Sequence, residues 1–134
     1  MNTKDFGDLA DLSAAKALRS QGHAVSFPFG DNERYDLIID DDGGLSRAQV
    51  RKAAKRDGYI VFKCYSNHRS SGNIKRENFS DTEIDCFLVW YQEENKIYRI
   101  PIEETPKTEM RLRLDDAENN QKKKLNWASD YLIK

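Results

Sequence analysis

The sequence predicts an α/β domain: one N-terminal helix, a mixed β-sheet of about five strands, an additional hairpin and an edge strand. Three observations lead there. At 134 residues the chain has the length of a single domain, 1–134, able to bury about two thirds of its unfolded surface. An apolar stripe with helical spacing occurs only near the N-terminus. From residue 23 onward the apolar residues fall in strand-sized runs punctuated by Gly, Asn and Asp. With 38% hydrophobic and 34% charged residues, those runs argue against disorder. No apolar run reaches the ~18 residues of a spanning helix, so no membrane is expected as a partner. The segment MNTKDFGDLAD lacks the apolar core of a secretion signal, so a cytoplasmic protein is expected. Cys64 and Cys86 lie inside apolar runs and read as core fillers, and with no CxxC and two histidines a structural zinc site is excluded.

Each element follows from its residues. Over 5–21, Phe6, Leu9, Ala10, Ala14, Ala17 and Leu18 form one helical stripe, and Gly22 is a natural stop. Asp11 stands on the flank of that stripe, where an acid can reach the edge of whatever the helix packs on. Residues 23–28 read as a short strand ended by Pro28. Residues 35–40 read as a second strand, with Tyr35, Leu37 and Ile39 on one face and Asp36 and Ile38 on the other. The turn Asp40–Gly44 then suggests a hairpin. Residues 45–57 are ambiguous: Ser46 and Gln49 form a capping-box pattern that favours a helix, while a strand would put Gln49 and Arg51 on one face. Residues 59–65 are a strand. Residues 66–80, rich in Ser, Asn and Gly, read as a long mobile loop. Residues 84–92 and 96–102 form a hairpin, and 110–114 alternate as an edge strand. The tail, 115–134, carries Lys122–Lys124, then Trp127, Tyr131 and Leu132, and is expected to dock on the body or at an oligomer interface.

The net charge of −1 hides a segregation. Residues 1–46 hold nine acids and four bases, whereas 47–76 hold nine bases and one acid, a local net charge of +8. A near-neutral average therefore does not exclude a polyanionic partner, because the local field decides. The same block is equally compatible with a solvated face neutralised by acids from elsewhere in the fold.

One set of polar residues carries chemistry. A hairpin would set Asp36 beside the strand bearing Gln49, Val50 and Arg51. Hard divalent ions take oxygen ligands, and the Asp36 carboxylate, the Gln49 side-chain carbonyl and the Val50 backbone carbonyl supply three. Taken alone, the pattern is weak: an Asp at a strand margin also serves as a turn-former or ion-pair partner, and Gln-x-Arg arises by chance.

The wider string is more specific. GDLAD at 7–11, SFPFGDNERYDLIIDDDG at 26–43 and AQVRKAAKRDGYIVFKCYSNH at 48–68 resemble the PD-(D/E)XK endonucleases associated with group I introns, homing-type enzymes on the restriction-endonuclease-like fold. EIDCFLVWYQEENKIYRIPI at 83–102 and WASDYLI at 127–133 are similar to later segments of that family. The resemblance implies a strand over 45–53. It also implies a site with an acid on the first helix (Asp11), the Asp of the second strand (Asp36), and the Gln-x-Lys of the third strand at Gln49 and position 51. Two positions depart from the pattern: the helix acid is Asp11 where the family has Glu, and Arg51 stands in place of Lys. Arginine cannot act as a base but can clamp a phosphate, so reduced cleavage is expected. Lys52 is adjacent to Arg51 but projects from the opposite face of the strand.

The implied reaction is hydrolysis of a double-stranded DNA phosphodiester with Mg²⁺, for which Mn²⁺ can substitute. The metal would be held by Asp36, Gln49 and Val50, and weakly, because Gln49 brings no charge. Arg47, Lys52, Lys55, Arg56, Lys63, Arg69, Lys75 and Arg76, with Asn67 and His68, are then candidate DNA contacts. A paired-histidine nuclease is not indicated, since His23 and His68 lie in distant segments. A domain this small covers roughly ten base pairs, so a homo-oligomer (dimer or tetramer) is expected, with Trp90, Tyr91, Trp127 and Tyr131 as candidate contacts or core. A DNA-binding module with weakened or lost cleavage, and a junction resolvase or repair nuclease on the same fold, are the alternatives.

Overall fold

The computed structural model describes residues 1–114 and 126–133; the expectations for 115–125, including Lys122–Lys124, lie outside the described residues. Helix α1 spans Thr3–Ser20 and begins two residues before the start expected at residue 5. Asn2 and Asp5 form a reciprocal cap: the Asp5 N–H donates to Asn2 Oδ1 at 2.9 Å and the Asn2 N–H to Asp5 Oδ2 at 3.2 Å. Ala10, Ala14 and Leu18 are its buried stripe.

The helix packs on a five-stranded sheet. In chain order its strands are β1 (Ala24–Ser26), β2 (Leu37–Asp41), β3 (Gly44–Lys52), β8 (Cys86–Tyr91) and β9 (Lys96–Pro101). They lie side by side in that same order, antiparallel except for the parallel pair β3–β8. The sheet is therefore mixed, and together with α1 and the further strands it forms a restriction-endonuclease-like fold. Between β3 and β8 the chain builds β4 (Ala54–Arg56), β5 (Tyr59–Lys63), β6 (Tyr65–Ser70) and β7 (Asn73–Asn78). Strands β4 and β5 join β10 (Glu109–Arg113) in a second, three-stranded sheet, and β6 and β7 form a separate ribbon.

The central sheet is buried on both faces, and β8 shows this most clearly: all six of its residues are buried. Its even positions, Cys86, Leu88 and Trp90, meet α1 together with Leu37, Ile39, Ala48 and Val50. Its odd positions, Phe87, Val89 and Tyr91, meet the second sheet through Ile60, Phe62, Met110 and Leu112. Trp90 and Tyr91 are 5% and 4% exposed, so they belong to the core and are not surface contacts. Cys64 and Cys86 are free and buried. Among the described residues, no helix is long and apolar enough to cross a membrane.

The strand implied over 45–53 is borne out: β3 runs through to Lys52, because pairing with β2 on one side and β8 on the other outweighs the local capping signal. Two expectations are corrected. Strand β2 starts at Leu37, and Tyr35 packs with the core opposite to that of Leu37 and Ile39. Residues 66–80 are not a loop but the β6–β7 ribbon. Its turn, Ser71–Gly72, has φ +52° and +80°, the signs of a type I′ hairpin. The ribbon is exposed along β7, so it lacks the apolar alternation that marks a strand. The tail returns to the body over 126–133, where Trp127 bridges Arg113, Leu132 bridges Tyr98, and the Tyr131 hydroxyl lies 2.9 Å from Glu104.

Candidate active site

Strands β2 and β3 pair from Leu37 to Asp41, and beyond Leu37 the pairing changes character. The Asp36 N–H donates to the Ala48 carbonyl at 2.8 Å. The next rung is made by a side chain: Asp36 Oδ2 accepts the Val50 N–H at 2.8 Å. The carboxylate of Asp36 thus lies at the sheet edge where β2 and β3 part. Strand geometry sends the Val50 carbonyl to the same side as its N–H, toward that opening.

The opening is a cleft of about 600 Å³ lined by Asp8 and Asp11 of α1, by Asp36, and by Gln49, Val50, Arg51 and Lys52 of β3. Asp11, Asp36, Gln49, Val50 and Arg51, inferred from the sequence, are therefore brought together. Asp11 sits on the flank of α1, beside the buried Ala10 and Ala14. Its carboxyl is pushed up to about 7, first by burial, then by the charges of Asp36 and Asp8. Asp36 is also raised, by burial, against the pull of the Val50 N–H and of Arg51. Two acids that repel each other at a partly buried edge make a site suited to a cation.

The donor set fits a hard divalent ion. Among the described residues no cluster of three or more His, Cys, Asp or Glu is placed to hold a metal. An ion here would therefore combine carboxylate oxygens of Asp36 and Asp11 with neutral oxygens, and the Gln49 amide and the Val50 carbonyl provide those.

Arg51 bridges the cleft and the ribbon. Its Nη2 donates to the Tyr65 carbonyl at 2.9 Å, and its guanidinium lies 5.4 Å from the centroid of the Phe79 ring. Burial works against its charge while Asp36 favours it. Its Nε is buried without a hydrogen-bond partner, a donor that calls for an acceptor. Lys52 projects from the face of β3 that carries Val50, yet it too lines the cleft, with Nζ 3.9 Å from the centroid of the Phe6 ring. The cleft wraps around the sheet edge, so strand alternation does not remove Lys52 from it.

The remaining bases are scattered. Arg47 is engaged by the turn before β8: its Nε lies 3.1 Å from Asp85 Oδ2, and its other nitrogens donate to the Thr82 and Asp81 carbonyls. Lys55 is exposed and pairs with Glu93 at 3.3 Å, Arg56 is exposed on β4, and Lys63 is exposed at the end of β5. Asn67, His68, Arg69, Lys75 and Arg76 all stand on the ribbon, exposed.

Arg34 is the residue that sequence reasoning missed. It donates to the Asn78 carbonyl at 2.9 Å, to Glu83 at 3.1 Å and to Ser66 Oγ at 2.9 Å, and its guanidinium stacks 3.9 Å from the Phe79 centroid. It ties the ribbon's root to the body beside the cleft. Its signal was present: Arg34 is the single base between residues 20 and 46.

Residues 1–134 match the family described as PD-(D/E)XK endonuclease. No curated protein matches the chain. Among solved structures, a bacterial homing endonuclease, I-Ssp6803I, is similar: TM-score 0.80 at 23% identity, covering 98% of this chain and 89% of that one. At that identity the likeness bears on the fold.

Proposed function

The chain belongs to the PD-(D/E)XK endonuclease family, and on that premise we propose that it is a site-specific endonuclease hydrolysing double-stranded DNA with Mg²⁺, as a homing-type enzyme does. The observation that carries this reading is the convergence of Asp11, Asp36, Gln49, Val50 and Arg51, from three separate elements, on one cleft.

Asp36, Gln49 and Val50 would hold the ion with oxygen donors, and Asp11 would complete the set or orient a hydrated ion. When bound, a divalent ion supplies a Lewis acid and a water of lowered pKa. The chain's own residues do the rest. The Val50 N–H fixes the Asp36 carboxylate in the sheet plane. Arg51 lines the cleft, where its guanidinium would clamp a phosphate oxygen; it stays protonated and so accepts no proton from water. Lys52, held over Phe6, adds a second positive charge at the rim. The exposed bases beyond β3 attract the phosphate backbone. A dimer or tetramer would extend the ten or so base pairs one domain can cover.

The test is incubation of purified protein with supercoiled plasmid, and separately with four-way junction DNA, in Mg²⁺, Mn²⁺ or EDTA. Nicking or linearisation of plasmid in Mg²⁺ and Mn²⁺ but not EDTA is expected. Cleavage confined to junctions would make it a resolvase. Salt-sensitive binding with no cleavage of either substrate would make it a DNA-binding module, a reading favoured by Arg51 in place of lysine.

A further inference from the structure

The β6–β7 ribbon has two unlike faces. Its register pairs Asn67 with Arg76 and Arg69 with Ile74, and pairs His68 with Lys75 and Ser66 with Glu77. Because side chains alternate, the first two pairs share one face and the last two share the other. The first face presents Asn67, Arg69, Ile74 and Arg76 and carries no acid. Ile74 is 62% exposed on a ribbon that has no core of its own to fill. Arg76 is pre-oriented: its guanidinium stacks 4.0 Å from the ring centroid of the buried Tyr65. The second face carries Glu77, whose carboxylate lies 3.5 Å from Arg34, together with His68 and Lys75.

We infer that the face formed by Asn67, Arg69, Ile74 and Arg76 reads base edges in the DNA major groove, while Lys75 and His68 on the other face contact the backbone. The inference rests on the reading of the protein as a DNA endonuclease and adds which residues set its specificity. A two-stranded ribbon fits the major groove, and six residues per strand give a reach of about 20 Å. The side chains match what that groove displays. Planar arginine forks pair with guanine, an asparagine amide pairs with adenine, and an exposed aliphatic group meets the thymine methyl. Lysine, a flexible point charge, suits phosphate. The ribbon is also held firmly enough to read. Arg34 clamps its root through Ser66 and Asn78, the Asn78 amide donates to the Lys107 carbonyl at 2.6 Å, and Arg51 joins the Tyr65 carbonyl to the cleft.

The experiment is selection from a randomised duplex library by the full chain in EDTA at fixed salt. Affinities of variants are then measured on the enriched duplex and on a scrambled one. Arg69→Ala and Asn67→Ala should weaken binding to the enriched duplex by roughly 10- to 100-fold and leave the scrambled duplex nearly unchanged. Ile74→Ala should relax preference at a single position. Lys75→Ala should weaken both duplexes alike and lower the salt slope by about one. Equal losses on both duplexes for Arg69→Ala and Asn67→Ala, or collapse of the preference in Lys75→Ala, would overturn the assignment, as would binding that enriches no sequence. Plasmid cleavage in Mg²⁺ would leave the endonuclease reading standing in any of those cases. Absence of both cleavage and salt-sensitive binding would remove both.

Discussion

Asp36, the residue just before strand β2, and Asp41, the last residue of that strand, have surroundings of opposite chemistry. Asp41 receives both Arg99 Nη1 and Nη2, at 3.0 and 2.8 Å, and the Ser46 hydroxyl at 2.7 Å. Its carboxyl is pulled down to about 2, chiefly by the Arg99 hydrogen bonds. Asp36 faces another acid, Asp11, and is held above the ordinary carboxylate range by burial. The two aspartates that bracket Leu37–Asp40 thus differ: Asp41 is neutralised by Arg99 and hydrogen-bonded by Ser46, and Asp36 is held beside a second acid. On the proposed reading, the difference separates a structural carboxylate from one kept for a metal ion.

Four substitutions sharpen that contrast. The largest effect is expected from Asp36→Ala, which should reduce Mg²⁺-dependent plasmid cleavage by at least ~10³-fold while sparing DNA binding in EDTA, since several kcal/mol of charge stabilisation go with the metal. An active Asp36→Ala protein would dissolve the site. Next, Asp41→Asn should leave cleavage intact but destabilise the fold by about 1–2 kcal/mol in urea denaturation, because Arg99 loses its partner. The folded pKa of Asp41 lies below its unfolded value. Its contribution is therefore complete above pH ~4 and fades as pH falls toward 2, so the two proteins should converge in acid.

Arg51→Lys comes third. A lysine at this position restores a group that can exchange a proton, and cleavage should rise about tenfold, read as initial nicking rate. An unchanged rate would assign position 51 a purely electrostatic role. The smallest effect is the reverse of the Asp41 case. Asp11 is raised to about 7, so between pH ~4 and 7 the folded protein holds a proton the unfolded chain has released, and stability falls as pH rises through that window. In EDTA, Asp11→Asn should stabilise the protein at pH 8 by about 1 kcal/mol, discounted for solvent in the cleft, with the gain vanishing toward pH 4. Divalent ions should raise the thermal midpoint of the parent protein but not of Asp11→Asn by as much.

The central sheet, and β5 of the second sheet, were legible in sequence because their strands are apolar in runs: LIID, CFLVWY and KIYRIP in the first and YIVF in the second lie near where they were expected. The candidate site was legible through the family resemblance, since the spacing of Asp36, Gln49 and Arg51 is weak evidence by itself. What was illegible had physical reasons. Residues 45–52 follow helix-forming local rules that sheet pairing overrides on both sides, so the strand there was legible from the family resemblance and not from local propensity. The ribbon is stabilised by cross-strand hydrogen bonds, a type I′ turn and Arg34, none of which produces a hydrophobic period. The Asn2–Asp5 cap was readable but lay ahead of the apolar stripe used to place α1. Lys52 reached the cleft because a cleft at a sheet edge collects side chains from both faces.

The ribbon leaves the body at Tyr65 and returns at Asn78, and those two residues are paired neighbours across its base. It is an excursion within the connection between β5 and β8, so its sequence or length can change without altering the register of the strands that hold the carboxylates. On the proposed reading, target preference could therefore drift, or be grafted from another hairpin, at a cost confined to the fourteen residues 65–78, while the residues of the cleft are inherited unchanged.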